Sequence, residues 1–232
     1  MLIRGYNVFL IFMEYIVPIF AYLCPLILGL TVAFLVATST FINKGIKGLC
    51  QIILYYVTLP LIAVMIIIGL IPGPDRFHLS IANLLYLAVF LWGWLVMVAG
   101  VSYLFIRLGL NKNIAYIIVS LLILLTNGTI FYINPFISAW QDNPGLRQWI
   151  IGLAVKINPM LTVVGSFFSH DLLRAREMYS LCDIGPYYFY SYANWFTLWI
   201  VYMVIGILTF VIATKTPRHK GVILSRGEES HC

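Results

Sequence analysis

Long apolar runs separated by short polar breaks set the pattern of this chain. Residues 1–42 are almost continuously apolar, interrupted by Arg4, Asn7 and Glu14. Crossing a bilayer takes about 20 apolar residues, so this run exceeds the needs of one upright helix. Pro18 and Pro25 divide it, and two layouts fit: an interfacial helix over 3–15 followed by a span over 17–41, or a tight helical hairpin. The first is preferred, because it leaves the Glu14 carboxylate near the interface, where a charge costs little. Further spans are expected over 49–71, with a kink at Pro60, over 81–106, over 114–133 and over 193–213. The connections between them are short: a basic loop over 43–48, a turn begun by Pro72-Gly73-Pro74-Asp75, and a second basic loop over 107–113. A polar connection with two Asn-Pro steps follows at 134–149.

The stretch 154–174 departs from the pattern of a plain span. It is apolar enough to enter a bilayer, yet it carries Lys156, the Asn158-Pro159 pair, and a charged exit at His170-Asp171 and Arg174. Proline removes a backbone donor and pushes the residue before it out of the helical region. Non-helical backbone at membrane depth persists only where protein or water satisfies it. Two readings fit these residues: a proline-kinked span, or a broken, re-entrant element beside a cavity.

Charge distinguishes the two. The tail over 215–232 holds Lys215, Arg218, Lys220 and Arg226, which marks it as cytoplasmic. If the stretch crosses fully, alternation puts Lys44, Lys47, Arg107 and Lys112 outside, against the positive-inside rule. If it dips in and returns, both basic loops become cytoplasmic. The outer region, 134–192, is then near neutral, with Arg147, Lys156, Arg174 and Arg176 matched by Asp142, Asp171, Glu177 and Asp183. The charge pattern therefore favours a re-entrant element. The fold expected is all-α: one polytopic transmembrane helix bundle over 1–214, with five to six spans and a re-entrant element before the last, then a basic cytoplasmic tail.

Composition fixes the class. The chain has 232 residues, 62% hydrophobic and 9% charged, where a soluble domain carries about 25% charged residues. The net charge of +6 reports cytoplasmic loops and anionic lipid, with no nucleic-acid partner implied. The four cysteines form no C-x-x-C pair, and His78, His170, His219 and His231 lie in loops or the tail, so neither a metal site nor buried haem ligation is indicated. No catalytic constellation and no G-x-x-x-x-G-K-[ST] loop is present, so no enzyme activity and no cofactor are expected of the chain itself. Asn127, inside an expected span, either bonds a neighbouring helix or faces a substrate path. Lys156 either snorkels to the interface or meets an anionic headgroup. Tyr187 to Tyr192, with Trp195 and Trp199, reads as an interfacial aromatic belt.

Spans, a short basic loop, further spans, an external region with an Asn-Pro step, a last span and a basic tail: this order resembles the membrane subunit of type-two ABC transporters, exporter-like permeases for drugs, polysaccharides or lipids. In that family the segment before the last span reads as Asn-Pro, several apolar residues, then an Arg-containing exit. Asn158-Pro159, Met160 to Phe168 and Arg174 stand in that order. The resemblance covers mainly 113–214; the family usually has six spans, where this chain shows five clear ones and an ambiguous N-terminal run. It implies a separate ATP-binding cassette ATPase subunit, a second permease copy or homologue, and a bacterial cytoplasmic membrane. It also implies a substrate path or gate at Asn127, Lys156, Asn158, Pro159, His170 and Asp171, and ATPase-coupling loops at Lys44, Lys47, Arg107 and Lys112. The other functions compatible with the residues are a membrane anchor of a respiratory or redox complex, and a structural membrane protein.

Overall fold

Backbone N–H and C=O groups find no water inside a hydrocarbon layer, so an apolar chain must satisfy them within helices. The computed structural model describes residues 23–70, 81–129, 132–133, 138, 142–167, 173 and 191–216, and every element among them is helical. In order these are α1 (Leu23–Thr38), a 3-10 turn (Phe41–Lys44), α2 (Gly45–Ile52), a π-helical segment (Ile53–Thr58) and α3 (Leu59–Leu70). Then come α4 (Ile81–Arg107), α5 (Lys112–Asn127), α6 (Pro144–Ile157), α7 (Pro159–Phe167) and α8 (Trp195–Lys215).

Helices α4 and α8 are long and apolar enough to cross a membrane, which makes this an integral membrane protein. The pair α6 and α7, bent by 75°, is a third candidate if it forms one span. Of the five to six spans expected, these two to three stand among the described residues, beside the shorter apolar helices α1, Cys50–Ile66 and α5 of 10–17 described residues. Local features bound two of the shorter ones. Helix α5 ends at Asn127, four residues after Ile123, whose carbonyl accepts from the Asn127 amide. The 49–71 segment is interrupted by a wide turn before Pro60. Pro60 has no N–H for the carbonyl four residues back, and the Leu59 N–H goes instead to Leu54 O, five residues back.

The expected loop at 43–48 is helical. Lys44 closes the 3-10 turn and Lys47 lies in α2, both exposed. A Cβ on Gly48 would collide with Phe41 O, so the missing side chain is what lets the turn fold onto α2.

Helix α4 is the axis of the bundle. Phe90, Leu91, Trp94, Leu95 and Tyr103 along it are fully or almost fully buried. It packs against α8 along its whole length, and the contacts advance together. Tyr86 stacks on Trp195 at 5.2 Å, Trp94 meets Tyr202 at 5.1 Å, Tyr103 meets Phe210 at 5.9 Å, and Arg107 Nε donates to Ala213 O at 3.2 Å. The two helices therefore run parallel. Lipid tails are as apolar as leucine, so such helices associate by close backbone packing at small residues. The crossing is at Gly100 and Gly206: a Cβ on Gly206 would lie 3.0 Å from Met97 N, and one on Gly100 would lie 2.8 Å from Gly206 O.

Helix α1 crosses the same core. Trp94 Nε1 donates to Pro25 O at 3.0 Å, and Phe34 meets Tyr116 edge-on at 5.8 Å. Ile123 lies beside Gly29 at the level of Trp94, so α5 runs antiparallel to α4. The far ends of α1, α4 and α8 and the start of α5 thus share one end of the bundle. That end gathers Lys44, Lys47, Arg107, Lys112 and Lys215.

Candidate functional site at the α6–α7 break

The Asn158-Pro159 step lies where two helices end and a third begins. Asn158 adopts an extended conformation (φ −84°, ψ 111°), as the residue before a proline should. Helix α6 stops there, and α7 starts with Pro159 at its first position, where a missing N–H costs nothing. A broken helix inside an apolar bundle exposes carbonyls and amides that need partners. The side chain of Asn158, with no solvent exposure, meets two such groups and a hydroxyl. Its Oδ1 accepts from Leu161 N at 3.1 Å, capping α7. Its Nδ2 donates to Asn127 O at 2.7 Å and to Thr129 Oγ1 at 3.2 Å, tying the break to the end of α5.

Neighbouring side chains complete the node. Thr129 Oγ1 lies 3.2 Å from Ala154 O, a carbonyl near the end of α6. Thr162 Oγ1 donates back to Asn158 O at 3.1 Å. Tyr202, from α8, donates its hydroxyl to Ile157 O at 3.1 Å. The tyrosine is the eighth residue of a 21-residue helix, so the break lies about 10 Å below the start of α8. From there α7 rises toward that start: Phe167 meets Trp195 at 5.8 Å and Phe90 at 6.1 Å, and the Tyr192 ring covers Gly165.

Of the residues expected at a substrate path, Asn127, Asn158 and Pro159 are brought together here, all buried. Lys156, two residues before the break, is exposed on the surface of α6. His170 and Asp171 lie outside the described residues. Of the residues expected in coupling loops, Lys44, Lys47 and Lys112 are exposed, the first over the Phe41 ring at 5.0 Å. Arg107 is half-buried through its bond to Ala213 O. Sequence reasoning passed over Thr129, Thr162 and Tyr202 as members of the site. The available signal was weak: a single phenol in the aliphatic middle of the last span, and hydroxyls next to Asn127 and Pro159.

The arrangement is a buried helix break held by hydrogen bonds from three separate elements. It has the means to hold a bend rigid. Among the described residues no group of three or more His, Cys, Asp or Glu side chains comes together to hold a metal. Comparison with protein-family models, with curated proteins and with solved structures found no match to the chain.

Proposed function

We propose that the chain is the permease subunit of an exporter-like ABC transporter. It moves a solute or lipid-like substrate across a bacterial cytoplasmic membrane, with ATP hydrolysed by a separate subunit. The observation that carries the reading is the parallel course of α4 and α8 with a broken helix pair between them. The chain leaves α4 at the basic end and must reach the opposite end before Trp195, where α8 begins. That is one net crossing. Helix α5 climbs from the basic end toward the node, and α7 leads from the node to the side of Trp195. Among the described residues, α7 turns from the node toward Trp195 and away from the basic end. The parity supports a pair that enters the membrane and goes back to the face it came from.

The positive-inside rule makes the basic end cytoplasmic, so the break faces the outer leaflet. A broken helix packed within protein is the form in which irregular backbone lines a route through a membrane. Exposed Lys44, Lys47 and Lys112 give the cytoplasmic end a basic surface for an ATPase subunit. A second permease copy would complete the route, and rocking of the helix bundles would open it to each side in turn.

The test is purification of the tagged full-length chain from its own cells in mild detergent, followed by ATPase assay. The reading expects a stoichiometric P-loop ATPase and ATP turnover reduced at least several-fold by the double substitution Lys44→Glu and Lys47→Glu. A chain purified to homogeneity from intact membranes with no ATPase, and transport indifferent to ATP, would overturn it.

A further inference from the structure

The hydrogen-bond inventory of the node is lopsided. Asn127 is 1% exposed, and its Nδ2 donates to Ile123 O at 2.8 Å, which fixes the orientation of the amide. Its Oδ1 is buried and accepts from nothing. The described side-chain donors of the node are already committed. Asn158 Nδ2 serves Asn127 O and Thr129 Oγ1, Thr162 Oγ1 serves Asn158 O, and Tyr202 Oη serves Ile157 O. The Thr129 hydroxyl has one proton for Thr126 O at 3.4 Å or Ala154 O at 3.2 Å. Pro159 adds to the surplus, because it has no N–H for the carbonyl of fully buried Val155.

Two helix C-termini converge at this point, those of α5 and α6, and each brings a partial negative charge and a cluster of carbonyl oxygens. The single helix N-terminus here, that of α7, is turned onto Asn158 Oδ1. Excess oxygen acceptors in a low-dielectric site are costly unless a positive group meets them.

We infer that the junction of α5 and α6 binds one small monovalent cation, with the orphan Asn127 Oδ1 as its side-chain ligand and helix-end carbonyls completing its shell. The charge type follows from the ligands. Amide, hydroxyl and carbonyl oxygens with no carboxylate suit a monovalent ion, whereas calcium and magnesium sites draw on carboxylates. Asp142 is the one carboxylate among the described residues, and it precedes α6, a helix of 14 residues whose far end is the junction. Lys156, two residues before the break, is exposed on the surface of α6. Ends of broken membrane helices hold small cations by the same physics in other folds. The inference does not rest on the permease reading, since the ion would lock the break whatever passes beside it.

Thermal unfolding of the full-length chain in detergent tests it, with NaCl replaced by choline chloride at constant ionic strength. The inference expects a saturable rise in Tm with Na+, about 5–10 °C at 100 times the half-saturating concentration. Choline, too large for the site, should give none. Asn127→Leu should abolish the Na+ increment, and Asn127→Asp, which keeps an oxygen at that position, should retain it. Equal Tm values in NaCl and choline chloride for the unsubstituted chain would overturn the inference, whether or not the leucine variant folds. So would an undiminished Na+ increment in a folded Asn127→Leu protein.

Discussion

Replacing Asn158 by alanine removes three hydrogen bonds at once: to Leu161 N, Asn127 O and Thr129 Oγ1. The side chain has no exposure, so water cannot take over those partners. Side-chain hydrogen bonds within membrane helices average about 0.6 kcal/mol each, with values up to about 1.7. Leaving a buried backbone group unpaired adds roughly 1–3 kcal/mol. The expected loss is about 2–4 kcal/mol, which lowers Tm by about 5–15 °C in a chain of this size. Unfolding followed by tryptophan fluorescence reads this directly, because Trp94 packs on Tyr202, itself bonded to Ile157 O beside the break. Asn158→Ser separates the two roles of the residue. Serine caps a helix as well as asparagine does, but it is too short to reach α5, so about half of the loss should remain. A Tm within 2 °C of the parent for Asn158→Ala would refute the view that this side chain holds the break together.

Two further outcomes follow from the packing. Gly206→Leu inserts a side chain where a Cβ alone would already lie 3.0 Å from Met97 N. It should separate α4 from α8 and cost about 1–3 kcal/mol or more, visible as loss of the monodisperse peak in size-exclusion chromatography; a well-folded, equally stable variant would contradict the crossing. Tyr202→Phe deletes only the bond to Ile157 O while keeping the ring against Phe90 and Trp94. Its cost should be about 0.5–1.5 kcal/mol, smaller than that of Asn158→Ala by the same unfolding assay, and an equal or larger loss would contradict the ranking.

The helical class and the break itself could be read from the sequence, because composition and the Asn-Pro step act locally. Asn127 also stood out, as an amide has no place in an apolar run unless something bonds it. What it bonds was hidden: Asn127 and Asn158 are 31 positions apart, and only the antiparallel climb of α5 brings them together. Tyr202 was hidden for the same reason, as it joins the site through α8 packing in parallel with α4. The 43–48 stretch, read as a loop from its lysines and glycines, folds as helix because Gly48 makes room for Phe41 O, a contact no propensity reveals. Two to three of the five to six expected spans stand among the described residues, and apolar length alone does not register the π-helical interruption before Pro60 or the end of α5 at Asn127.

Sidedness of the segments flanking the break is the measurement that bears most directly on the permease account. In a background with the native cysteines replaced, single cysteines at Gln141 and Tyr179 are treated with a membrane-impermeant maleimide on intact cells and on inverted vesicles. The account predicts that both react from the outer face and neither from the cytoplasmic face. Reaction of the two from opposite faces would mean that α6 and α7 cross the bilayer completely, and the account would fail.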